Sequence, residues 1–190
     1  MIPSLSPPRD LDAPVWELVR ELAGHLGEPA AVARCMALMR GAPREAHLDV
    51  LPYLTRHSFA DGEPARDPAA WKNHWLRTWG ARGLLYVWDD SAATAVIDGL
   101  HDEEWRPAEM CLKVATKREL GGAGDGAAAL SSHELARVRA QAMRTLAVVG
   151  DTEHVEAVAA RLDDADEAVR RVAARAADRL EIRLDLELPR

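Results

Sequence analysis

Two groups of side chains in this sequence could do chemistry. One is a set of seven histidines, some beside acids; the other is a run of tryptophans interleaved with arginine. His101 and His133 stand 32 residues apart, and both precede acids, Asp102-Glu103 and Glu134. Repeated His-acid pairs are one way to hold a metal. The pattern stops there, because Ala165 stands where a third pair would fall. His25, His47, His57, His74 and His154 join no ligand string. Cys35 and Cys111 each stand alone, outside any Cys-x-x-Cys or Cys/His string, and read as buried thiols in a reducing cytosol. Phosphate-loop, nucleophile-elbow and zinc-protease motifs are missing, and the Gly121–Gly126 run reads as a turn before a short Ala helix. The expectation is therefore no catalytic residue, no metal and no cofactor.

The aromatic run is different. Trp71, Trp75 and Trp79 are spaced by four and share one helix face. The core line of that helix runs through Leu76, Gly80, Gly83, Leu84 and Val87. Trp79 borders it, while Trp71, Trp75, Arg82 and Tyr86 lie further round on one flank. Two readings stay open: packing on a neighbouring helix, or an aromatic and Arg surface of the kind enriched in binding hot spots.

These residues need elements to position them. At 190 residues, with 48% apolar and 29% charged residues, the chain has a globular composition. The net charge is −7, and the segments before and after position 90 are both acidic. Bulk attraction to nucleic acid or anionic membrane is thus disfavoured. Met1 to Arg9 is Pro- and Ser-rich without an apolar leader core, and residues 1–10 are expected to be a disordered tail. No stretch approaches the roughly 20 apolar residues of a membrane span. A cytoplasmic protein is expected.

The sequence repeats internally. Shifted by 62, Arg77 meets Arg139, Arg82 meets Arg144, Leu84 meets Leu146, Val96 meets Val158 and Leu100 meets Leu162, without a gap. Shifted by 31, Val138, Arg139, Ala142 and Arg144 meet Val169, Arg170, Ala173 and Arg175. A period of 31 suits one helical hairpin. Leu135, Val138, Ala142, Leu146 and Val149 step by three and four, which is one apolar stripe on an α-helix. The pattern predicts first helices near 12–26, 44–54, 91–100, 124–131 and 152–162. Second helices are predicted near 29–40, 68–88, 104–119, 133–149 and 165–182. The fold class is all-α, an α-α superhelix of about five hairpins forming one domain over 11–190, clearest over 75–181. The 55–67 loop is the longest break, and the alternating tail from Glu181 is expected to cap the last hairpin.

Leu162-Asp163-Asp164 followed by Val169-Arg170-Arg171-Val172-Ala173 resembles a HEAT-like repeat of the bacterial, lyase-associated type. Leu100-His101-Asp102 with Trp105-Arg106 is a looser copy. The resemblance implies a ladder between repeats in which Arg77, Arg106, Arg139 and Arg170 pair with Asp102 and Asp164. It also implies a concave face lined by second helices. There Arg82, Arg144 and Arg175 share one register, with Cys111 at the loosely matching hairpin, and Arg137 matches Trp75. Iron-binding deoxyhypusine hydroxylase is HEAT-like too, but its His-Glu pairs sit within helices, whereas His101 and His133 sit in turns. HEAT-like alkylpurine DNA glycosylases use a basic groove that this acidic chain lacks. The expected function is a non-enzymatic scaffold whose concave face binds a protein or an acidic or phosphorylated peptide through Trp71, Trp75, Arg82, Tyr86, Arg137 and Arg144. The alternative is a HEAT-like enzyme or accessory factor, either a lyase-type chaperone or a nucleic-acid repair protein.

Overall fold

Apolar residues at helical spacing, broken by Gly, Pro and Asp, become a chain of short helices. The computed structural model describes residues 5–187; among them are ten α-helices joined by turns and 3-10 segments, with no strand. The stretch read as one domain gathers into two compact units, Met1–Ala95 and Val96–Arg190.

In the first unit, α1 (Val15–Leu26) turns directly into α2 (Glu28–Met39). Gly27, with φ of 83°, is the hinge residue, because a side chain is disfavoured in that backbone region. Pro29 follows in the first turn of α2, where no backbone donor is needed. Leu18, Val19 and Leu22 of α1 are buried, as are Val32, Cys35 and Leu38 of α2. The helix expected over 44–54 divides into a 3-10 turn at Arg44–His47 and the short α3 (Leu51–Thr55). Arg44 is buried here, donating to the carbonyl of Ala65 at 3.0 Å and to that of Trp71. These bonds tie the 55–67 loop down, and Phe59 and Ala65 within it are buried. The long helix expected over 68–88 is shorter, α4 (Asn73–Gly83).

α4 packs on α2 at very short range. A Cβ at Gly80 would stand 2.5 Å from the Cys35 carbonyl oxygen, and one at Gly83 would stand 2.5 Å from Cys35 Sγ. Alanine for Gly80 would gain about 1 kcal/mol of helix propensity. A backbone oxygen cannot swing aside, however, and overpacking costs typically 1–3 kcal/mol or more. Gly80→Ala is therefore expected to lower the melting temperature; an unchanged or raised one would mean that α2 and α4 separate easily.

The segment expected to be a tail runs along this unit from Leu5 onward. Pro8 is buried, Tyr53 Oη donates to the Ser6 carbonyl at 2.6 Å, and the Arg9 amide donates to Glu21 at 3.2 Å. Residues 1–4 lie outside the described residues. α5 (Ala93–Asp98) follows a 3-10 turn that Asp89 caps through the Ser91 amide.

The second unit holds α6 (Trp105–Arg118), α7 (Gly124–Leu130), α8 (Ala136–Val149), α9 (Val155–Ala159) and α10 (Glu167–Leu184). α8 packs on α6, α7 and α10. Three turns repeat one hydrogen bond at an interval of 31. Asp102 accepts from the Glu104 amide at 2.9 Å, His133 Nδ1 from Leu135 at 3.0 Å, and Asp164 from Asp166 at 3.0 Å. The arginines follow the same interval: Arg139 donates to the carbonyls of His133 and Glu134, and Arg170 to those of Asp164 and Ala165. α10 continues helically to Leu184, leaving Ile182 84% exposed, so the expected cap begins as helix. Leu184 and Leu186 are half-buried, and Leu188 lies outside the described residues.

Candidate functional site

Helices α6, α8 and α10 begin 31 residues apart, at 105, 136 and 167, so equal steps along them fall on equivalent positions. Lys113, Arg144 and Arg175 are one such set, and Arg106, Arg137 and Ala168 another. The Arg82 register therefore passes through Lys113, not Cys111, which is buried. The ladder register shifts as well: the position equivalent to Arg139 and Arg170 is Ala108, and Arg106 is two residues away. The second turn carries His133 where Asp164 receives its arginine, so between α6 and that turn both partners are replaced, the guanidinium by Ala108 and the carboxylate by His133.

Between these helices lies an open groove of about 470 Å³, walled by Glu109, Lys113, Arg137, Gln141, Arg144 and Asp166 among others. Glu109 sits at its floor with a side chain only 9% exposed. Arg137 Nη2 donates to both of its carboxylate oxygens, at 3.0 and 2.8 Å, and Lys113 Nζ approaches at 3.1 Å. One buried anion is thus shared by two cations, the arrangement that a desolvated carboxylate requires. The Arg137 guanidinium also lies over the Trp105 ring, 4.8 Å from its centroid, and Arg106 lies against the same ring at 4.3 Å. Such contacts hold a planar cation in one orientation. Gln141 is buried, and Thr116 and Thr145 meet beside it at 2.9 Å. Asp166 is occupied as the cap of α10, accepting from Ala168 and Val169.

Arg144 is exposed, and among the described residues its one hydrogen bond is a 3.4 Å contact to Gln141. Arg175 is exposed on α10 with no carboxylate partner among the described residues. Positive charge on this face therefore exceeds what its own acids neutralise.

The other expected residues lie in the first unit. Trp71 and Trp75 are half-buried, with ring centroids 5.7 Å apart in an edge-on arrangement. Both contact buried Trp79, and His57 of the loop covers Trp71 at 5.2 Å. The tryptophans thus form one aromatic cluster. Arg82 stands outside it, donating to the Leu54 carbonyl, and burial lowers its pKa. Tyr86 is half-buried. Arg137 and Arg144 share the groove of the second unit. Protein-family models, curated proteins and solved structures yield no match to this chain. The groove must be read from its own chemistry.

Neither thiol is a ready nucleophile. Burial pushes Cys35 up to about 12 and Cys111 higher still. His133 and His154 both use Nδ1 to accept a backbone amide, and His154 Nε2 contacts Asp125 at 3.1 Å. Among the described residues, no helix is long and apolar enough to cross a membrane.

The groove was partly legible in advance. Arg137 and Arg144 were expected on it. Lys113, Glu109, Trp105 and Gln141 were missed, because Trp105-Arg106 imitates Val-Arg two residues early. The constant interval from Arg82 through Lys113 and Arg144 to Arg175 was the signal that could have found the row.

Proposed function

We propose that this protein is a cytoplasmic HEAT-like scaffold, a short α-α superhelix whose second helices bind a protein or peptide. The observation that carries the reading is the groove of α6, α8 and α10, with its buried, fully paired floor and its exposed, under-neutralised cations. A floor locked by Glu109, Arg137 and Trp105 stays in shape without a ligand, so less ordering cost falls on binding. An open trough suits an extended chain better than a small substrate, which is held in a deep, largely apolar pocket.

The test is steric. Ala168 lines the groove, is exposed and carries no charge. Ala168→Trp places an indole across the trough without touching the core. Linear peptides selected from a random display library against the native protein are expected to lose binding to this variant by at least about tenfold. Selected peptides that bind both proteins equally would show that the groove is not the binding face.

A further inference from the structure

Resting on that reading of the groove, we infer that its partner is an extended acidic segment whose carboxylates are taken one per helix by Lys113, Arg144 and Arg175.

The row follows from the fold. The three cations occupy one position on α6, α8 and α10, and α6–α8 and α8–α10 are packed neighbours. Packed helices lie about 8–10 Å apart. A polyproline-type strand has three residues per turn and rises about 3.1 Å per residue, so every third side chain returns to one face after about 9 Å. The two spacings agree. A chain with an acid at every third position, laid across the helices, meets a cation at each step.

The charges are suited to this use. Among the described residues Arg144 and Arg175 have no carboxylate partner, while Lys113 shares Glu109 with Arg137. Arg137 is spent on that floor, so it positions the groove and is not part of the row. A single phosphate fits the arrangement less well, since it is best held by guanidiniums converging on one point. Here the row offers one cation per helix, with Arg137 held by Glu109. The surrounding protein is acidic, with a net charge of −7, which turns away an acidic chain that misses the row.

The experiment uses the full chain and fluorescein-labelled synthetic peptides of about twelve residues. One repeats Pro-Pro-Glu; a second has the same composition with its glutamates contiguous; a third carries a single phosphoserine in a neutral Pro-rich sequence. The periodic peptide is expected to bind most tightly, and to weaken steeply with added salt. Lys113→Gln, Arg144→Gln and Arg175→Gln should each weaken it about three- to fivefold, the effect of one solvent-facing charge. Arg40→Gln, the same charge change at an exposed site in the first unit and outside the groove, should leave it unchanged. Equal binding of the periodic and contiguous peptides overturns the spacing. Tighter binding of the phosphopeptide, or equal loss with Arg40→Gln, overturns the carboxylate row. Library peptides blocked by Ala168→Trp but indifferent to all three neutralisations would keep the groove and overturn this inference alone. Failure of Ala168→Trp to block any peptide would remove both.

Discussion

Replacing Asp164 by alanine is expected to cost about 3 kcal/mol of folding stability, within the range for breaking one side of a buried ion pair. Its side chain is only 2% exposed. Arg139 binds it bidentately, Nε to Oδ2 at 2.8 Å and Nη2 to Oδ1 at 2.7 Å, while the Asp166 amide donates to Oδ1 at 3.0 Å. Alanine removes all of these and leaves the guanidinium, among the described residues, with the His133 and Glu134 carbonyls. Asparagine can restore the turn bond but not the charge, so Asp164→Asn should fall between. The pH dependence identifies the source. The hydrogen bond from Arg139 is the first cause holding this carboxyl at about 2, below the usual value of about 4. A pKa lower in the folded state stabilises the fold above the unfolded value, and that contribution is lost as pH falls from about 4 toward 2. Chemical denaturation of the native protein and of Asp164→Ala should therefore give stabilities that converge over that window. A gap that stays constant down to pH 2 would mean that the carboxylate charge is not what Asp164 supplies.

Leu146→Ala should be comparably damaging, at about 2–5 kcal/mol. Leu146 is fully buried in α8, between helices that pack on both of its sides. Alanine at this site loses the transfer energy of the removed carbons and leaves a cavity that α6 and α10 cannot both close. Leu84 is the residue 62 positions earlier and is also fully buried, in the first unit. Leu84→Ala should fall in the same range. Denaturation midpoints of the two variants measure this; a loss under about 1 kcal/mol in both would show that equal register does not mean equal burial.

The near equivalence of these leucines shows what was readable in advance. Helices whose apolar stripe is long and regular, such as α8 and α10, lie within about three residues of where their periodicity placed them. Register failed where chemistry replaced the repeat. At α6 the arginine position is Ala108 and the turn acceptor is His133, so the nearest Val-Arg imitation, Trp105-Arg106, misplaced the match by two. In the first unit the misses have another cause. Arg44 and Arg82 look like surface cations in sequence, yet each guanidinium is drawn inward by a main-chain carbonyl from a distant segment. Periodicity carries no record of such long-range main-chain acceptors, and those bonds tie down the loop that broke the pattern.

The two cysteines lend the molecule a pair of internal clocks. Cys35 lies under Gly83 in the first unit and Cys111 within α6 of the second, and each is almost wholly shielded from solvent. A thiol so enclosed reacts with a soluble disulfide reagent only while the structure around it is open, so its labelling rate times that opening. Gly80→Ala is expected to loosen the seam around the first thiol, and Asp164→Ala the unit that encloses the second. Followed by mass spectrometry, the two adducts would date the opening of each unit separately in the unmodified chain, with no added dye and no engineered residue.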